Sequence, residues 1–279
     1  MRRSLTLICA GLVAVCALAL GARAQQQEES QVRAVPLAPA EVERVVRAFT
    51  AKEAQFREAL NQYGFKRDAI VQTIGWGGQI TGEYHRVSRF AFDDTGHRYE
   101  KILLFPLPTL ADFTVSAEDL EDLSGVQTFA LETSKMGQYD FKYVGKEKID
   151  DLDLFVFDVA PKVMPDPKKT KERFFQGRVW VDDQDLQIVK ARGKGVPEAK
   201  GSRYPTFETY RENIDGKYWF PSMTFADEQL VFDNGQVAHI RLRIKFTDYE
   251  RFKAKVRVLD DVGELPEQKK PAPPEKKKP

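Results

Sequence analysis

Residues 174–190 read FFQGRVWVDDQDLQIVK. Two apolar arms flank a short acidic turn, Asp182-Asp183-Gln184-Asp185, and the pattern predicts a β-hairpin. The first arm alternates. Phe175, Gly177, Val179 and Val181 fall on one face, and Gln176, Arg178, Trp180 and Asp182 on the other. A face bearing both a tryptophan and an arginine is either a partly covered sheet surface or the lining of a mixed apolar and charged site. Alternation alone leaves both alternatives open.

Further β-rich runs extend from this hairpin in both directions. Phe65–Trp76, Gln79–Phe92 and His97–Phe105 precede it, followed by Tyr139–Ile149 and Asp153–Val159. Beyond Phe174–Val181 and Leu186–Ala191 come Phe207–Ile214, Tyr218–Ala226, Leu230–Phe232 and Gln236–Tyr249. Asp215-Gly216 and Asp233-Asn234-Gly235 are strong hairpin turns. Ten or so antiparallel strands on short turns predict one continuous, strongly curved sheet rather than βαβ units.

Ahead of the strands, Val42, Val45, Val46, Phe49, Phe56 and Leu60 recur at helical steps from Pro39, with Gly64 as the expected stop. This predicts one amphipathic helix of about 24 residues. Residues 106–137 are too long for a plain hairpin loop, and Ser116-Ala117-Glu118-Asp119-Leu120 within them reads as a capped short helix closing at Gly125. Residues 161–171 form a Pro/Lys-rich excursion between strands.

The termini carry a different grammar. Residues 1–24, MRRSLTLICAGLVAVCALALGARA, join a basic start, an apolar run and the ending Ala22-Arg23-Ala24. That is the pattern of a cleavable signal peptide and directs the chain to the periplasm; a retained anchor is the alternative. Cys9 and Cys16 are the only cysteines, so the mature chain is expected to lack disulfides and thiol chemistry. Val15 stands where a lipoprotein signal carries a small residue, which argues against lipidation at Cys16. Residues 25–38 read as flexible, residues 39–263 as the folded domain, and residues 264–279, ELPEQKKPAPPEKKKP, as a disordered tail.

The chain has 279 residues and a formal net charge of +1, and nothing in that balance draws it toward nucleic acid. His85, His97 and His239 form neither a helical HxxxH nor a strand HxH pair, so no metal site is expected. The Gly-x-Ser-x-Gly elbow is missing. Gly75-Trp76-Gly77-Gly78 is followed by neither Lys-Ser/Thr nor a helix, which predicts a bend rather than a phosphate loop. The acidic clusters at 150–153, 182–185 and 260–261 read as solvated turns. The chain is therefore expected to be a monomeric binding protein rather than an enzyme, without cofactor or metal.

The positive signal is apolar surplus. Leu152, Leu154 and Val156 oppose Phe155, Phe157 and Val159, so this strand is greasy on both faces. The second face is expected to be covered by the 106–137 segment, in an ordinary core, or by a ligand.

Three phrases carry a family resemblance. Tyr143–Ile149 with Leu154–Lys162 resembles the "Tyr-x-Gly-x-Glu … aromatic-x-Leu-x-x-x-Pro-Lys" strands of outer-membrane lipoprotein-sorting proteins. Phe175–Asp182 is similar to their next strand, and Ile214–Pro221 to their Asp-Gly-x-x-x-Pro hairpin. Asp150-Asp151 departs from the glycine of the first hairpin, and the Lys/Pro tail is extra. The resemblance, to a superfamily that includes LolA, LolB and RseB, implies an incomplete, half-open antiparallel β-barrel of about 10–11 strands wrapped around helices. It also implies an apolar cavity for lipid or lipoprotein acyl chains. On that reading Phe90, Phe92, Leu104, Phe155, Phe157, Val179, Val181 and Phe225 are the expected lining, with Arg178 and Arg243 at the rim. The rival expectation is an envelope sensor or scaffold that binds a protein partner through its sheet.

Overall fold

The computed structural model describes residues 32–111, 113–124, 130–169, 172–198 and 203–252. The expected leader (1–24) and tail (264–279) lie outside the described residues, as does Gly125.

Helix α1 spans Pro39–Leu60, with Pro39 in the first turn, Glu41 at its N-terminal end and Arg57 in its last turn. All three suit the helix dipole and the unpaired terminal groups. The helix stops at Asn61 rather than at Gly64. Gly64 instead lies inside strand β1 (Tyr63–Ile74), where an added Cβ would sit 2.7 Å from the Phe90 carbonyl oxygen. Glycine there permits close strand approach and does not terminate the helix.

The remaining strands are β2 (Ile80–Phe92), β3 (Arg98–Leu104), β4 (Tyr139–Ile149), β5 (Leu152–Pro161), β6 (Phe174–Asp182) and β7 (Ile188–Val196). After them come β8 (Phe207–Ile214), β9 (Tyr218–Val231) and β10 (Val237–Arg251). The two runs expected at 218–226 and 230–232 are one strand, because β9 pairs with β10 from Met223 to Val231. All pairings are antiparallel, in the order β3-β2-β1-β10-β9-β8-β7-β6-β5-β4. The ten strands form one sheet, and its ends, β3 and β4, do not pair with each other. The result is an open, barrel-like sheet with few helices. Helix α2 (Ala117–Ser124) is capped as its sequence predicts: Ser116 Oγ accepts the Asp119 N–H at 3.0 Å, and Asp119 Oδ2 accepts the Ser116 N–H at 2.8 Å.

Helix α1 fills much of the concave side. Val45, Phe49, Phe56 and Leu60 are buried there together with Ala69, Val71, Phe157, Val179, Val181, Phe220, Leu242 and Ile244. Phe49 meets Phe157 with ring centroids 5.6 Å apart, and Phe56 meets Phe220 at 5.8 Å. Each such ring contributes about 1.5–3 kcal/mol by burial.

The hairpin at 174–190 resolves its own ambiguity. Val179 and Val181 face α1, while Trp180 lies on the convex side in a separate apolar cluster with Leu154, Val156 and Val189. Among the described residues, none from the 106–137 segment joins this cluster. Val32, Val144, Ile149, Leu152 and Trp219 pack around it. Arg33 exchanges two backbone hydrogen bonds with Lys146, at 2.7 and 2.9 Å, so residues 32–33 are held against β4. Gly145 makes this contact feasible, since a Cβ would lie 2.2 Å from the Arg33 carbonyl oxygen.

Candidate functional site

The concave face is covered by α1 over β4–β9 and by the 113–124 segment over β1 and β10. Strand β10 is built for this: Ala238, Ile240, Leu242, Ile244 and Phe246 point inward, with charged or histidine side chains at the positions between them. Among the described residues, this cover leaves an opening. A cavity of ≈ 190 Å³ opens to the surface between Val71, Ile240, Leu242 and Phe232 on one side and Phe113–Val115 on the other. Arg203, Tyr204 and Asp119 supply its polar mouth. The Tyr204 hydroxyl donates to Asp119 at 3.3 Å, and Arg203 bonds Glu198 at 2.6 Å and Asp233 at 2.5 Å.

Beside the cavity, a charged group is buried against the cover. Arg67 lies on the concave face of β1 with only 3% of its side chain exposed. Its guanidinium donates to Glu121 of α2 at 2.5 Å, approaches Glu100 of β3 at 3.5 Å and lies 4.8 Å from the centre of the Phe90 ring. Arg86 completes the group by donating to Glu100 at 2.7 Å. Burial works against ionisation of Glu100, but hydrogen bonds from Ser88 and Arg86 and the charge of Arg67 outweigh it and hold its carboxyl below the usual range. This group ties α2 to three strands.

The expected lining residues are dispersed. Phe155, Phe157, Val179 and Val181 are buried on the concave face beneath α1. Phe90 stacks on Phe65 at 4.7 Å, and Phe92 lies 4.8 Å from Phe252. Leu104 pairs with Val87 on the opposite face from Phe90 and is exposed. Phe225 lies on the convex face, paired with Glu208 and Arg243, because its neighbours Thr224 and Ala226 take the inward positions. Arg178 is also convex, forked onto Asp158 at 2.7 and 3.2 Å. None of the expected lining or rim residues borders the 190 Å³ cavity. The alternation of β10 was the sequence signal for its floor. Its roof at 113–115 and its wall at 203–205 carry no periodicity.

Along the free edge, Ile102, Leu103, Leu104 and Phe105 are each about half exposed and Leu107 is 90% exposed. Each histidine pairs with an aspartate: His85 with Asp68 at 2.9 Å, His97 with Asp93 at 3.9 Å, and His239 with Asp227. No cluster of three potential metal ligands occurs among the described residues. None of the described helices is long and apolar enough to cross a membrane.

No protein-family model matches the chain, and no curated protein matches it. Among solved structures it is similar to a LolA superfamily protein from Nitrosomonas europaea, at 11% identity over 78% of this chain and 95% of that one, with a TM-score of 0.33. A DUF1329 family protein from Desulfovibrio piger is similar at 16% identity over 76% and 92%, with a TM-score of 0.36. A domain described as an outer membrane lipoprotein-sorting protein, from Vibrio parahaemolyticus, is similar at 12% identity over 75% and 93%, with a TM-score of 0.33. At these identities and scores, function rests on the chain's own residues.

Proposed function

We propose that this protein is a periplasmic, non-enzymatic carrier that shelters an apolar chain, such as the acyl chain of a lipid or lipoprotein, between β1, β10 and the 113–124 segment. One observation carries the reading: a cavity that opens to the surface is lined by the buried apolar side chains Val71, Ile240 and Leu242 and by half-buried Phe232. The ≈ 190 Å³ of open space is below the ~300–1,000 Å³ of ordinary ligand pockets. A long chain therefore requires the 113–124 segment, held by buried Leu120 and by the Glu121–Arg67 and Asp119–Tyr204 contacts, to move outward. Burying ~16 methylenes at ~0.8 kcal/mol each supplies ample driving force, offset by lost ligand freedom and the ordering of the segment.

The test is titration of the purified protein with a fluorescent fatty acid, compared with Val115→Trp, which fills the cavity from its half-buried roof. Binding by the parent protein and its loss in a variant of unchanged melting temperature is the expected result. Equal binding by both excludes this cavity as the ligand site.

The free β3 edge favours a second reading, in which a protein partner adds a strand there. Its apolar side chains, Ile102 to Phe105, are each about half exposed. Placing a lysine at Leu103 would abolish partner capture on that reading and leave fatty-acid binding intact.

A further inference from the structure

The convex face of β4–β7 holds a second concavity, independent of the apolar cavity and on the opposite side of the sheet. It occupies ≈ 600 Å³ and is lined by Asp140, Lys142, Asp158, Arg178, Arg192 and Lys194, with backbone at Gly177 and Gly193 forming part of its floor. Strand register explains the arrangement. Lys142 pairs with Asp158, Asp158 with Arg178, Arg178 with Arg192 and Arg192 with Glu208, so one row of charges crosses five strands.

Within that row, Arg178 and Arg192 stand directly opposite each other. Like charges so placed are destabilising unless something neutralises them. Asp158 does this for Arg178, taking both prongs of its guanidinium. Arg192 has no such partner: its nearest carboxylate oxygen, on Glu208, is 3.8 Å away, and its side chain is 65% exposed. Glu208 is committed elsewhere, to Lys190 at 2.9 Å and to the Tyr210 hydroxyl at 2.5 Å. Lys142 is exposed and makes no ion pair among the described residues. Lys194 reaches Glu198 at 3.1 Å, but that carboxylate also accepts from Arg203 at 2.6 Å. The groove lining therefore carries four cations and two carboxylates, with Glu198 and Glu208 at its margin, and its under-neutralised donors lie on β4 and β7, to either side of the Asp158–Arg178 pair.

We propose that this groove binds a multiply charged phosphate-type oxyanion, with Arg192 and Lys142 as its principal donors and Lys194 beside them. A guanidinium offers paired N–H groups that match phosphate oxygens, and an ammonium adds a point charge. The phosphate chemistry has two sources, a soluble phosphate compound or the headgroups of an anionic lipid surface, and the experiment separates them.

Full-length protein is titrated with sodium pyrophosphate by calorimetry at low ionic strength and, separately, sedimented with phosphatidylglycerol or phosphatidylcholine vesicles. Two double variants are compared: Arg192→Gln with Lys142→Gln, and Arg241→Gln with Lys245→Gln. The second pair removes the same charge from exposed convex positions on β10. The expected result is pyrophosphate binding that weakens about tenfold in the first variant, equivalent to roughly 1.4 kcal/mol, and is unchanged in the second. Sensitivity of phosphatidylglycerol binding to the same variant assigns the anion to a lipid surface; pyrophosphate binding without vesicle binding assigns it to a soluble compound. The proposal is overturned if neither probe binds, or if the two variants weaken binding equally, which would reduce the effect to overall charge. The fatty-acid titration reads the concave cavity and fails or succeeds separately.

Discussion

Arg211 of β8 and Glu53 of α1 form a two-pronged ion pair inside the protein, with Nη1–Oε1 at 2.5 Å and Nη2–Oε2 at 3.1 Å. Their side chains are 6% and 2% exposed. The guanidinium lies 4.3 Å from the centre of the Phe56 ring, and Nη1 also reaches the Ile188 carbonyl at 3.4 Å. The pair locks α1 to the sheet at one rotational setting. Glu53→Ala leaves the Arg211 charge buried and unpaired and is expected to cost about 3–5 kcal/mol. Glu53→Leu with Arg211→Met is expected to cost less than either single change. Denaturant melts of the three variants check this, and a double variant less stable than both singles contradicts it.

The cover of the cavity is expected to respond differently. Glu121 is the α2 side of the Arg67 contact and is 46% exposed, whereas Arg67 keeps Glu100 nearby. Glu121→Ala should therefore change global stability by less than about 1 kcal/mol while raising the uptake rate of a fluorescent fatty acid several-fold. Stopped-flow mixing measures the rate, and unchanged uptake removes this contact from any gating role.

Acid should loosen the same group. Glu100 has a folded-state pKa below its unfolded value, so the stability it contributes is present above the unfolded value of ~4.3 and is lost as pH falls through the folded one. Melting temperature followed downward from pH 5 should fall less steeply in Glu100→Gln than in the parent protein. Identical slopes would show that Glu100 does not carry the linkage.

Alkali should act at the other end of β1. Burial pushes the Tyr63 hydroxyl up to about 12, assisted by its 2.8 Å hydrogen bond to Asp215. Above the unfolded value of ~10 the unfolded chain ionises first, so this contribution is present below pH 10 and is lost as pH rises toward 12. Absorbance at the tyrosinate band should lose a late-titrating step near pH 12 in Tyr63→Phe. A difference spectrum centred near pH 10 would contradict the burial.

Trp180 donates its indole N–H to Glu147 at 2.7 Å, and both residues are buried. Trp180→Phe strands that carboxylate and is expected to cost about 1–3 kcal/mol; Glu147→Gln retains an acceptor and should cost less. Trp76, fully exposed at the β1–β2 turn, should tolerate alanine with little change. Urea melts distinguish these outcomes.

Strand periodicity and turn chemistry are local, and they made most of the architecture legible. Tyr139–Ile149 and Phe207–Ile214 fall where alternation puts them, and Asp215-Gly216 turns the chain as hairpin residues do. The surplus of apolar residues on both faces of β5 was also readable, as was the capped start of α2. Which face met which cover was not. Val179 and Trp180 differ by one position and lie in separate apolar clusters because α1 occupies one side of the sheet and residues 32–33 approach the other. Gly64 looked like a helix stop because local sequence does not contain the carbonyl of Phe90 that approaches it. Likewise, no local pattern joins Val115 to Tyr204, or Lys142 to Arg192. Covalent spacing sets the repeat of side chains along a strand, whereas burial and ionic environment depend on elements that meet only when the sheet curves, and that curvature brought both the cavity and the charged groove into being.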